Sequence, residues 1–67
     1  MGELPGLSKH EARDQLEAAE HLARAALQLR MAAGLLAHRD AWAAAAERWS
    51  GEVGRLADDA HREVLEA

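Results

Sequence analysis

No cysteine occurs in this 67-residue chain, which excludes disulfide bridges and thiolate zinc sites. Phenylalanine, tyrosine, isoleucine and threonine are missing too, and tryptophan occurs only twice. Strands draw on β-branched and aromatic residues, so little here could build a sheet. The single proline stands between Leu4 and Gly6, leaving the rest of the chain free of helix breakers of that kind. No uninterrupted apolar run reaches the roughly 20 residues that cross a bilayer. Met1–Leu7 has neither the charged start nor the apolar middle of a secretory leader, so the expected compartment is the cytoplasm. Clustered basic residues are lacking as well: the formal net charge is -4, with both signs interspersed. Neither a nucleic acid nor a membrane surface is expected as a partner.

What is present is alanine and, second to it, leucine, the residues that lose least on entering a helix. The expected class is therefore all-α. One short chain of small apolar residues has little area to bury, and chains of this size usually need a disulfide, a metal or a partner. With cysteine gone, a partner chain is the simplest supplement. Ser8-Lys9-His10-Glu11 carries the Ser-x-x-Glu pattern of a capping box, and it marks the start of the first helix. Residues 1–7 read as an irregular tail and residues 8–67 as one helical-hairpin domain.

A heptad runs from this cap without a skip, with Ala12, Ala19, Ala26 and Ala33 at a and Gln15, Leu22, Leu29 and Leu36 at d. Leu16 and Ala23 at e widen the stripe. Glu20 and Arg24 stand in the favourable i,i+4 order on the outside. The first helix is expected over about 8–37, with Gly34, His38 and Arg39 near its end. Asp40 is expected as the N-cap of a second helix over about 40–66. That helix has Trp42, Trp49 and Leu56 at d, and Ala46, Val53, Ala60 and Ala67 at a. Val64 lies beside them at e, and Asp58 pairs with Arg62.

An antiparallel hairpin turning near Ala41 would face Leu36 with Ala46, Ala33 with Trp49, Leu29 with Val53, Ala26 with Leu56 and Leu22 with Ala60. Four of those layers set a large residue against alanine, which fills space without clash. Gly51 and Gly54 inside the second helix leave an alternative, three helices with a break near Ser50-Gly51. The stripe Leu27, Met31 and Leu35 points away from the seam and calls for a second burial surface. The expected assembly is a dimeric four-helix bundle of coiled-coil type.

Little chemistry is legible. Ser8 is a cap and Ser50 has no acid–base partner nearby in sequence, so no nucleophile is set up, and no glycine-rich phosphate loop follows a strand. An enclosed pocket is too much for so small a core, so the chain is not expected to be an enzyme and no cofactor is assigned. Glu17, Glu20 and His21 on one helix, and Asp58 and His61 on the other, have the i+3 and i+4 spacing of metal-binding bundles. They fall at outer heptad positions, so a metal or ligand site would have to form between chains. Trp42 and Trp49, seven apart on one face, read either as core near the turn or as anchors for a partner.

Trp49-Ser50-Gly51 has the Trp-x-Gly form and resembles the signature of the WXG family, small helical hairpins exported by type VII secretion. The likeness covers these three residues. It implies a turn at Ser50 between two long helices, a dimer, and secretion. The chain departs from that family in being shorter and in lacking tyrosine, which the family's export motif contains. The leading expectation is a non-enzymatic protein acting through self-association or contact with a protein partner. Leu27, Met31, Leu35, Trp42 and Trp49 are its expected interface. An accessory subunit of a larger complex fits the same residues.

Overall fold

The structure, a computed structural model, describes residues 7–66; residues 1–6 of the expected tail and Ala67 lie outside the described residues. Two helices, α1 (Lys9–Leu35) and α2 (Asp40–Glu66), pack along each other as an antiparallel hairpin, with no strand among the described residues. Each is 27 residues long, about 40 Å at 1.5 Å per residue. No helix among them is long and apolar enough to cross a membrane.

The start of α1 is the expected capping box. Ser8 is extended at φ -67° and ψ 169°, outside the helix. Its hydroxyl accepts from the Glu11 backbone N–H at 3.1 Å, and Glu11 Oε1 accepts from the Ser8 N–H at 2.9 Å. The helix thereby satisfies two backbone donors that its first turn would leave bare. The Ser8 backbone N–H first, and its side chain second, hold the Glu11 carboxyl below the usual glutamate range.

The turn is short and contains no left-handed residue among those described. Gly34 remains helical, so the expected glycine terminator does not operate. Instead the Leu36 N–H reaches the Ala32 carbonyl at 2.8 Å, and the Arg39 N–H reaches that of Leu36 at 2.7 Å. The Arg39 carbonyl then accepts from Ala43 at 2.9 Å, opening α2. Asp40 is consequently the first residue of α2 and not its cap. There its carboxylate complements the positive end of the helix dipole. The Arg39 guanidinium lies over the Trp42 ring, 4.2 Å from its centroid.

Two expectations about α2 are corrected. It runs unbroken through Gly51 and Gly54, so there is no third helix among the described residues, and Trp49-Ser50-Gly51 lies inside a helix and not in a turn. The helix is also rotated relative to the expected seam. Ala46, Ser50 and Ala57 are buried, Val53, Ala60 and Val64 half-buried, while Trp42, Trp49 and Leu56 are exposed. The residues expected at d have given way to those one place further on, Ala43, Ser50, Ala57 and Val64.

On α1 the expected heptad holds. Ala19, Ala26 and Ala33 are buried, with Gln15, Leu22, Leu29 and Leu36 half-buried beside them. The stripe widens on the opposite edge to that expected: Ala25 and Ala32 are half-buried, Leu16 and Ala23 exposed. The pairing register is also displaced, by two to four residues. A Cβ on Gly54 would sit 3.9 Å from that of Ala26, and Leu22 and Leu56 line the same groove.

The reason is backbone approach. A tryptophan between two helices holds their axes apart, whereas alanine, serine and glycine let them close, gaining dispersion along the whole seam. The closure is near enough for the Ser50 hydroxyl to donate to the Ala26 carbonyl at 2.9 Å, wholly buried. At the open end Gln15 Nε2 donates to the Ala60 carbonyl at 3.0 Å and to Glu63 Oε1 at 2.7 Å.

Candidate functional site

The small-residue seam has a consequence for everything outside it. Among the described residues no leucine, valine, methionine or tryptophan is buried; the interior is alanine and Ser50. Soluble single chains normally place large apolar side chains inside. Here most of the exposed ones stand on two separate surfaces, with Leu16 on the opposite edge of the hairpin and Leu65 near the end of α2 exposed apart from them.

The first surface spans both helices. Leu22 and Leu56 line one groove with Gln15, Asp59, Ala60 and Glu63. Gln15 and Glu63 are bonded across that groove. Seven residues make two helical turns, so stepping seven toward the turn on each helix preserves face and level. The step carries Gln15–Glu63 to Leu22–Leu56, then to Leu29–Trp49, then to Leu36–Trp42. The result is a ladder of three apolar rungs closed at the open end by a polar one. Trp42 and Trp49 are 55% and 56% exposed, and Leu56 is exposed with them. The alanines beside the ladder, Ala25, Ala32 and Ala45, are half-buried.

The second surface is the back of α1, where the structure places the expected stripe. Leu27, Met31 and Leu35 are exposed, the last two at 68% and 80%. It is one helix wide and interspersed with Arg24, Gln28 and Arg30, all exposed. The structure therefore puts the five residues expected at an interface on two faces, Leu27, Met31 and Leu35 on one, Trp42 and Trp49 on the other.

The histidines and carboxylates are less concentrated. Among the described residues no three of them come together in a way that could hold a metal ion. Glu17 and His21 approach to 4.0 Å on the exposed side of α1. Glu20, Asp58 and His61 line an open groove of about 310 Å³ with Leu16, Ala19, Ala23 and Ala57. That groove is on the edge of the hairpin opposite the ladder. Arg62 pairs with Asp59 at 3.4 Å and not with Asp58 as expected. Such exposed pairs add little to stability.

Sequence reasoning found the two tryptophans but not the ladder. The signal was present: the rows Leu22, Leu29, Leu36 and Trp42, Trp49, Leu56 are mirror images about Arg39. Ser50 was missed as a seam residue because a lone serine between a tryptophan and a glycine resembles a turn. The chain matches no family model, and no curated protein and no solved structure is significantly similar to it.

Proposed function

We propose that the protein is a non-enzymatic helical hairpin that works through protein–protein contact, most simply with a second copy of itself in a four-helix bundle. The observation that carries this reading is the inverted distribution of apolar residues: alanine within, leucine, methionine and tryptophan without. Exposed large apolar groups gathered on faces mark interaction surfaces, and tryptophan is the residue most enriched at their centres. A hairpin held by small side chains gains stability when such faces are covered. The cytoplasm is the compartment this reading assumes.

Light scattering on the purified chain across a dilution series, with helicity followed by circular dichroism, tests it. A dimer or higher oligomer that loses helicity on dilution is expected. A poorly helical monomer would assign the exposed faces to a different protein, as in an accessory subunit. A fully helical monomer at all concentrations would overturn the self-association reading.

A further inference from the structure

Resting on that reading, we infer that the ladder face, and not the stripe on the back of α1, receives the second copy, laid antiparallel so that the turn half of each hairpin covers the open half of the other.

The choice of face follows from width. The ladder presents Leu22, Leu29, Leu36, Trp42, Trp49 and Leu56 across two helices, so two such faces brought together place four helices around one core. The stripe of Leu27, Met31 and Leu35 presents three side chains from one helix, between arginines. Small residues flanking the ladder, Ala25 and Ala32 on α1 and Ala45 on α2, are half-buried. They leave recesses beside the large side chains, into which the indoles of another copy fit, as large residues pack against alanine in interdigitating layers. The face is also self-complementary in the sense a two-fold contact requires, because its rungs repeat at constant spacing along the hairpin.

The orientation follows from charge. Residues 23–55, the turn half, contain Arg24, Arg30, Arg39, Arg48 and Arg55 against Asp40, Glu47 and Glu52. The open half, residues 9–22 and 56–66, contains eight acidic residues against Lys9, Arg13 and Arg62. The hairpin is thus positive toward its turn and strongly negative toward its open end. Two copies side by side in parallel would stack the acidic halves, whereas the antiparallel arrangement sets opposite signs together, and such complementarity fixes register. With the two-fold axis at the Leu29–Trp49 rung the apolar rungs of the two copies coincide. Arg39 of each copy then comes level with Asp59 of the other, beside the groove that Asp59 lines.

The test uses the full chain. Trp42 and Trp49 are its only aromatic residues, so their fluorescence reports on this face alone. In the dimer, emission is expected at short wavelength, moving to the red as dilution separates the copies. Trp49→Glu is expected to lower self-association at least tenfold, and Met31→Glu to leave it within about twofold. With a spin label on His38→Cys, the only thiol in the molecule, the antiparallel dimer gives a label separation of roughly 25–30 Å, from 1.5 Å per residue about the proposed axis. A parallel dimer would bring the labels to about one helix spacing, on the order of 10 Å. A dimer with fully exposed tryptophan emission, a dimer broken by Met31→Glu but not by Trp49→Glu, or closely spaced labels would each overturn the inference while leaving self-association intact. A wild-type chain that is monomeric throughout would overturn the parent reading and this inference together.

Discussion

Two side chains bear most of the local specification, and each makes a measurable prediction. Ser8 closes the capping box at the head of α1. Ser8→Ala should lower stability by about 1 kcal/mol, the usual loss for such a cap, read from urea unfolding. The box also has a pH signature. The Glu11 carboxyl is held below its ordinary value by the Ser8 N–H and hydroxyl, so the folded state favours the charged form. Its contribution is complete above the unfolded glutamate pKa, about 4.3. It fades as pH falls through the lower folded value. Glu11→Gln, which removes the charge and keeps the side chain's length, should therefore differ most from wild type near neutrality and converge with it in acid, whereas the loss in Ser8→Ala should persist there. Ser50 is the second. It is 3% exposed and donates to the Ala26 carbonyl. Ser50→Ala removes one buried hydrogen bond and should cost about 1 kcal/mol. Ser50→Leu should cost more, about 2–3 kcal/mol, because added volume forces the helices apart. If the leucine variant were as stable as the alanine one, the seam would not be closely packed at this level.

At the scale of the helix, the glycines of α2 set up a clean comparison. Gly51 would meet nothing with an added Cβ, while one on Gly54 would make ordinary contact with Ala26 at 3.9 Å. Neither position has a backbone conformation that requires glycine. Gly51→Ala and Gly54→Ala should each stabilise the protein by up to about 1 kcal/mol, by helix propensity and the reduced freedom of the unfolded chain. A rise in melting temperature for both would confirm a continuous, closed α2; a loss at Gly54 alone would mean the helices approach nearer than Ala26 permits. These helices were largely legible in the sequence. The capping box located α1, the change of heptad after Leu36 located the turn, and the span of α2 follows from Asp40 onward. The rotation of α2 was not legible. Trp42, Trp49 and Leu56 recur every seven residues, and so do Ala43, Ser50, Ala57 and Val64. Hydrophobicity favours the first set for the seam. Close backbone approach favours the second, and periodicity cannot rank them because the two rows differ by one residue in phase. The same ambiguity hid the ladder. The tryptophans are recognisable as candidate anchors, but their level with Leu29 and Leu36 depends on the register.

For the molecule as a whole, the question is which unit unfolds. Within one hairpin the buried side chains are alanines and a serine, and each contributes little apolar area. On the proposed pairing, the ladder supplies most of the further apolar area, and it does so only between chains. Folding and assembly should then be one transition, in which dimer gives two unfolded chains and stability depends on concentration. A tenfold rise in concentration adds about 1.4 kcal/mol to the dimer, which for a unit of this size raises the melting temperature by about 4–7 °C. Calorimetry or circular dichroism melts at three concentrations a decade apart would resolve such a shift. Trp49→Glu removes a rung of the proposed shared core, so its melting temperature should be lower and nearly flat with concentration. Ser8→Ala weakens the hairpin but leaves the ladder alone, and should shift the whole series downward with its slope unchanged. A wild-type melting temperature independent of concentration would place the cooperative unit in the single hairpin, and the alanine seam would then suffice on its own.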